Sequence, residues 1–146
     1  MQITYKCDYA LKVLLELALN KNNGVISVFD LAQKLDIPIK FLEQIAAELK
    51  RAKLITSKRG SQGGYFLAIT PEQIIIGQIV RLIDGSIGPI SCINKDYQGC
   101  SFTDNCVYKN LWQKVYQATS DIIDKTTLAD LVKETKEQSN ALFYSI

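Results

Sequence analysis

Three of the four cysteines in this 146-residue chain, Cys92, Cys100 and Cys106, fall within fifteen residues, while Cys7 stands alone near the start. There is no histidine. Thiolates are the standard ligands of iron–sulfur clusters, and a loop bearing three of them can wrap one without regular secondary structure. The same group permits a cluster-free thiol switch, in which two of the thiols join as a disulfide on oxidation. Zinc would want closed tetrahedral ligation, but the usual close cysteine pair is missing. A purely structural role as small apolar core residues fits poorly with a polar, glycine-containing loop. Without histidine there is no imidazole base. No glycine-rich phosphate loop follows a strand and no nucleophile elbow is present, so an enzyme is not expected.

A second group of residues suits a different partner. The net charge is only +2, yet residues 1–81 hold 11 basic and 7 acidic side chains while residues 82–146 hold 6 and 8. Lys50, Arg51, Lys53, Lys58 and Arg59 lie within ten residues that contain no acid. Such a stripe on an otherwise balanced chain is what a phosphate-contacting surface needs. A solvated lysine-rich face is the plainer alternative on charge alone.

These groups need elements to hold them. Ala10, Val13, Leu14, Leu17 and Ala18 recur at helical spacing, giving a first helix from Tyr9 to about Asn20. Ser27 is a good N-cap with Asp30 in the capping-box position, so a second helix is expected over Val28 to Leu35. Pro38 suits a first helical residue, and a third helix follows to about Ala52 with Phe41, Ile45, Leu49 and Ala52 as its apolar stripe. Two short helices joined by a tight turn make a helix-turn-helix. The β-prone Leu54-Ile55-Thr56 and Tyr65–Ile69 flank a turn from Lys58 to Gly64. A hairpin directly after a recognition helix is a wing. Its arginine is shaped for a minor groove, and its glycines admit a close partner.

Beyond the wing, a fourth helix is expected near Gly77 to Asp84, then a long irregular loop holding Cys92 and Cys100. Loops of that length are usually functional or mobile. Cys106 opens a long helix with Val107, Leu111, Val115, Ala118 and Ile122 on one face. Thr126 or Thr127 caps a last helix through Leu128, Leu131 and Val132, and an apolar tail runs from Ala141 to Tyr144. Hydrophobic residues make up 47% and charged residues 22%, a globular balance, and no apolar run is long enough to span a bilayer. The expectation is a cytoplasmic protein with no membrane partner.

Several segments together resemble the IscR/NsrR/CymR family of bacterial winged helix-turn-helix regulators. They are Tyr9-Ala10-Leu11, Phe41-Leu42-Glu43-Gln44-Ile45, Leu54-Ile55, Arg59-Gly60, Gly63-Gly64-Tyr65-Phe66-Leu67-Ala68 and the three spaced cysteines. The resemblance implies a homodimer packed through the long helix, about Cys106 to Asp124. It places the third helix in the major groove of a palindromic operator and the wing in the minor groove. Pro38, Lys40, Glu43, Gln44, Lys50, Arg51, Lys58, Arg59, Gly60, Gly63 and Gly64 are the candidate DNA contacts. It further implies that Cys92, Cys100 and Cys106 hold an iron–sulfur cluster, 2Fe–2S or 4Fe–4S; the cysteine-metabolism branch lacks these cysteines. Where the iron–sulfur biogenesis branch has a histidine after the last cysteine, this chain has Lys109, which would not ligate iron. Asp8 matches the acidic fourth ligand that some nitric-oxide-sensing relatives supply from the other protomer, and Cys7 beside it is the rival.

The expected fold is mainly α with a small β-hairpin wing. Residues 1–84 form the winged helix-turn-helix, 85–106 the cysteine-containing sensor loop, and 107–146 the dimerisation helix and C-terminal helix. The expected function is a sequence-specific DNA-binding transcription regulator, repression being the anticipated mode, controlled by a cluster or by thiol redox state. A winged-helix protein-interaction module is the remaining alternative, and the basic stripe argues against it.

Overall fold

The computed structural model describes residues 2–94, 97, 99–100 and 106–144, with side chains through Leu142. Its elements run α1 (Tyr5–Leu19), α2 (Val28–Leu35), α3 (Ile39–Arg51), β1 (Ile55–Lys58), β2 (Gly64–Leu67), α4 (Ile76–Asp84), α5 (Val107–Ile123) and α6 (Leu128–Tyr144). This is the mainly helical winged arrangement expected from the sequence. Among the described residues no helix is long and apolar enough to cross a membrane.

Polar caps set the helix starts. α1 begins four residues before Tyr9 because the Thr4 hydroxyl accepts from the Cys7 N–H at 3.2 Å. Asp84, at the end of α4, in turn accepts from the Thr4 N–H at 2.9 Å and from its hydroxyl. Ser27 caps α2 as expected, accepting from the Asp30 N–H at 3.0 Å, while its hydroxyl donates to the Asp30 carboxylate at 2.6 Å. α2 ends at Asp36 in the left-handed region (φ 52°), which makes the tight turn into α3. Pro38 sits one position earlier than expected, as the N-cap, and its carbonyl receives the Phe41 and Leu42 N–H groups. Thr127 rather than Thr126 caps α6, accepting from the Asp130 N–H at 3.2 Å.

The α3 stripe is turned slightly from its sequence phase. Leu42, Ile45, Ala46 and Leu49 are the fully buried residues, and Phe41 is half-buried with its ring edge-on to Tyr9, centroids 6.0 Å apart. α1 and the α2–α3 pair together define the inward face, and that face includes Leu42 and Ala46. The main core joins Leu14 and Leu17 of α1, Leu31 of α2, the α3 stripe, Ile55 of β1, Ile74, Ile79 and Leu128. Full burial of a leucine is worth about 2 kcal/mol, so Leu128 at 0% exposure fastens the start of α6 into the same core as the helix-turn-helix. The Leu128 N–H reinforces this by donating to the Ile74 carbonyl at 2.8 Å.

The hairpin is antiparallel, with Ile55 opposite Leu67 and Lys58 opposite Gly64. Ile26 adds a bridge on the outer side of β2: its N–H donates to the Tyr65 carbonyl at 3.0 Å and its carbonyl accepts from the Tyr65 N–H at 2.8 Å. A Cβ at Gly64 would lie 2.2 Å from the Ile26 carbonyl oxygen, so this close approach needs glycine.

A smaller core holds Cys7, Ile76, Val80 and Ile87, with Tyr116 and Ile123 of α5 against it. Most of α5 is otherwise bare. Val107, Tyr108, Leu111, Val115 and Ile122 are all exposed, Val107 to 76%.

Candidate nucleic-acid interface and cysteine segment

α3 turns Leu42, Ile45 and Leu49 inward, and helical geometry then forces Lys40, Glu43, Gln44 and Lys50 outward. All four are exposed, as are Pro38 and Arg51. A short wing carries Lys58, Arg59 and Gly60 into solvent, and its tip is closed by a bond from the Gly63 N–H to the Gly60 carbonyl at 2.9 Å. Gly60 takes φ +114°, and a Cβ at Gly63 would lie 2.3 Å from the Lys58 carbonyl oxygen, so the tip is built for glycine at both positions. Lys58, Arg59, Gly60, Gly63 and Gly64 line one groove of about 420 Å³ with Ser27 at the start of α2.

Two contacts fix the wing against the recognition helix. Lys50 donates to the Ser57 hydroxyl at 2.9 Å, joining the last turn of α3 to β1. Tyr65 on β2 has its phenol raised above the ordinary range, first by burial and then by the negative charge of Glu43. Glu43 therefore lies within electrostatic reach of the wing strand. The sequence offers no reading of Ser57, and Tyr65 figures there only as a strand residue of the wing. The tyrosine's position among apolar strand neighbours was the available signal.

The cysteines occupy three settings. Cys92 lies in a single 3₁₀ turn, Ser91–Ile93, Cys106 is the N-cap residue of α5, and Cys100 lies between them in sequence. All three are half-buried, and none of them is in a disulfide. Soft thiol donors ahead of and at the start of a helix suit an iron–sulfur cluster in their chemistry. Among the described residues, however, no three cysteine or carboxylate side chains lie together in a group that could hold a metal ion.

Cys7 and Asp8, adjacent in sequence, face opposite ways. Cys7 is fully buried, and its thiol is pushed up to about 11 by burial first, then by the charge and hydrogen bond of Asp84 and the charge of Asp8. A thiol held there stays protonated at neutral pH, whereas metal ligation and nucleophilic attack need the thiolate. Asp8 keeps nearly half its side chain in solvent and pairs with Lys12 one turn on, at 2.7 Å.

α4 ties these regions together. Its end, Asp84, bonds Thr4 at the start of α1, and its Arg81 forms a two-pronged pair with Asp124 at the end of α5. The sequence did not point to this link, because its partners are 80 and 43 residues apart.

Comparison with known proteins agrees with this geometry. The Rrf2 family model, described as an iron-dependent transcriptional regulator, matches residues 3–134. The chain is 30% identical over 138 residues to the helix-turn-helix transcriptional regulator IscR of Aliivibrio salmonicida, covering 94% of this chain and 81% of that protein. It is 32% identical over 145 residues to CymR of Bacillus subtilis, covering 99% of both. Among solved structures it is similar to B. subtilis CymR, described as a global cysteine regulator, with a TM-score of 0.76 and 30% identity, over 92% of this chain and 98% of that one. T. potens IscR gives a TM-score of 0.74 at 30% identity over 94% and 90%. The oxidised form of Staphylococcus aureus CymR gives 0.72 at 32% over 90% and 96%. These named relatives are regulators of transcription and not enzymes. The winged helix-turn-helix, the matched span and these likenesses place the chain in the Rrf2 family of transcriptional regulators, whose members bind DNA.

Proposed function

We propose that this regulator binds a palindromic DNA operator as a homodimer and represses from it, with the state of Cys92, Cys100 and Cys106 controlling the affinity. The observation that carries the DNA-binding surface is the shared groove of the wing cations Lys58 and Arg59 with the glycine backbone and the start of α2, beside the exposed polar face of α3. In this reading Lys40, Glu43 and Gln44 address base edges in the major groove, Lys50 and Arg51 address phosphates, and Arg59 enters the minor groove. The bare apolar face of α5 supports pairing with a second copy.

The three thiols would hold an iron–sulfur cluster, with Asp8 of the other protomer as the oxygen ligand in the fourth position. Such a group supplies sensitivity to oxidants, iron supply or nitric oxide, because an oxygen ligand leaves one iron more open than thiolate does. What this chain's residues contribute is the coupling. Cys106 sits at the N-cap position of α5, α5 is tied to α4 by Arg81 and Asp124, and α4 is tied to the start of α1 by Asp84. A shift at Cys106 thus has a packed route to the helix-turn-helix.

A second reading keeps the same output with a disulfide between two of these cysteines in place of the cluster. One observation favours it: a similar CymR has been solved in an oxidised form.

The test is purification of the full chain without oxygen, followed by visible absorption and by anisotropy titration of duplex DNA at several salt concentrations. A brown protein whose affinity changes when the colour is bleached supports the cluster. A colourless protein whose affinity changes reversibly with oxidant and reductant supports the disulfide. Absence of salt-dependent DNA binding in both forms overturns the DNA-binding reading itself.

A further inference from the structure

Two large apolar side chains are exposed where a helix-turn-helix meets its target. Phe29, near the start of α2, is 61% exposed, and Ile39, the first residue of α3, is 41% exposed. In α2 the inward stripe is Val28, Leu31, Ala32 and Leu35, so a phenylalanine at position 29 points off the core face. Folding leaves it in water, although burial of so large an apolar side chain is favourable.

The two side chains belong to one surface. Both line a shallow groove of about 520 Å³ that runs along the turn between α2 and α3 with Ile37 and Pro38. Phe29 also lines the wing groove with Lys58, Arg59 and Gly60. It therefore stands between the cationic wing and the leading end of α3, and Lys40 follows Ile39 on the same turn of helix. Lys40, Lys58 and Arg59 lie beside this patch, and Asp36 lines its groove. Apolar surface with cations next to it suits the major groove of duplex DNA, where phosphates flank base edges. The one apolar group that any base pair offers there is the C5-methyl of thymine.

We propose that Phe29 and Ile39 form an apolar reader of thymine methyl groups, adding specificity for a thymine in each half-site. The proposal rests on the DNA-binding reading above and deepens it. Hydrogen-bonding candidates Glu43 and Gln44 distinguish donors from acceptors, but they cannot register a methyl group. Phe29 and Ile39 supply that missing discrimination at positions where the charge-bearing residues cannot. A neighbouring copy of the chain is the other conceivable occupant, and Lys40, Lys58 and Arg59 beside the patch favour a polyanion over it.

The experiment first selects operators for the full-length protein from a random-sequence duplex pool. Each thymine of the chosen operator is then replaced singly by deoxyuridine, which removes only the methyl group. For the unaltered protein, one or two positions in each half-site should weaken binding roughly fourfold, the weight of one methyl group taken from water. Phe29→Ala or Ile39→Ala should bind more weakly and lose sensitivity to that same substitution, while keeping its response to the others. Both residues are exposed, so folding is not at stake, and the deoxyuridine series leaves the protein untouched in any case. If operators are selected but every deoxyuridine duplex binds as well as its parent, the methyl reader is overturned while DNA binding stands. If the variants stay as sensitive as the parent protein, or change sedimentation in place of sequence preference, the patch serves another occupant and the proposal fails. If no operator is selected at any salt concentration, the underlying DNA-binding reading fails and takes the proposal with it.

Discussion

Arg81 donates its two guanidinium nitrogens to the two carboxylate oxygens of Asp124, at 2.6 and 2.9 Å, and one of them also reaches the Ser120 hydroxyl at 3.1 Å. Gly77, one turn before Arg81, makes room for it: a Cβ there would lie 1.9 Å from the Asp124 Oδ1. The pair fastens α5, which starts just after Cys106, to α4.

Asp124 is held below its ordinary carboxylate range by the Arg81 hydrogen bonds. A depressed folded pKa means stability that is present above the unfolded value, near 4, and lost as pH falls through the folded value. Asp124→Asn should therefore lower stability at pH 7 by about 0.5–1 kcal/mol, modest because both partners are partly exposed, with the difference shrinking below pH 4. Gly77→Ala should destabilise the parent chain by displacing the carboxylate. In an Asp124→Ala background the same change should be neutral or stabilising, since alanine outranks glycine in a helix by roughly 1 kcal/mol. Thermal unfolding of the four proteins decides it, and equal effects in both backgrounds would remove Gly77 from the link.

Arg59 at the wing tip is exposed and takes no part in the core. Arg59→Ala should weaken specific operator binding by about 1–3 kcal/mol while circular dichroism stays unchanged. Unchanged affinity would take Arg59 out of the interface.

Glu43 faces outward from the leading half of α3, and its charge reaches Tyr65 on the wing. A carboxylate there accepts from a cytosine amino group and repels other edges. Glu43→Ala should alter which operators are selected more than it alters the salt slope of binding. The same selected sequence from both proteins would move Glu43 off the groove.

The α5 face exposes Leu111 to 49% and Val115 to 41%. Because neither side chain supports the fold of one chain, Leu111→Glu and Val115→Glu should convert a dimer to a folded monomer in sedimentation and cut operator affinity sharply. A parent chain that sediments as a monomer at micromolar concentration would sink both the dimer and the palindromic operator.

Asp8 and Cys7 can be separated by anaerobic cluster reconstitution. Asp8→Ala should change or abolish the visible spectrum at little cost in stability, since its Lys12 pair is half in solvent. Cys7→Ala should leave the spectrum intact and cost about 1 kcal/mol of stability through the small cavity it opens. The reverse pattern would make Cys7 the ligand, and two unchanged spectra would exclude ligation across protomers.

Local chemistry made much of this protein legible from its residues alone. Ser27 with Asp30, the tight turn before Pro38 and the glycines of the wing act over three or four positions, so their signals survive without neighbours. The basic stripe and the cysteine spacing are likewise properties of short segments. What tertiary structure decided was orientation and partnership. Periodicity offered Phe41 for the α3 stripe, but packing against α1 buried Leu42 and left Phe41 half-covered beside Tyr9. Asp8 and its rival Cys7 are neighbours in sequence, and only α4, closing over Cys7 and leaving Asp8 in water, separates their settings. Ile26 became the neighbour of Tyr65, Asp84 the partner of Thr4, and Asp124 the partner of Arg81, each across a separation that no local pattern encodes. Helix periodicity says that a face is apolar. Only the packed chain says which element covers that face, and therefore which residues remain to meet DNA, metal or a second copy.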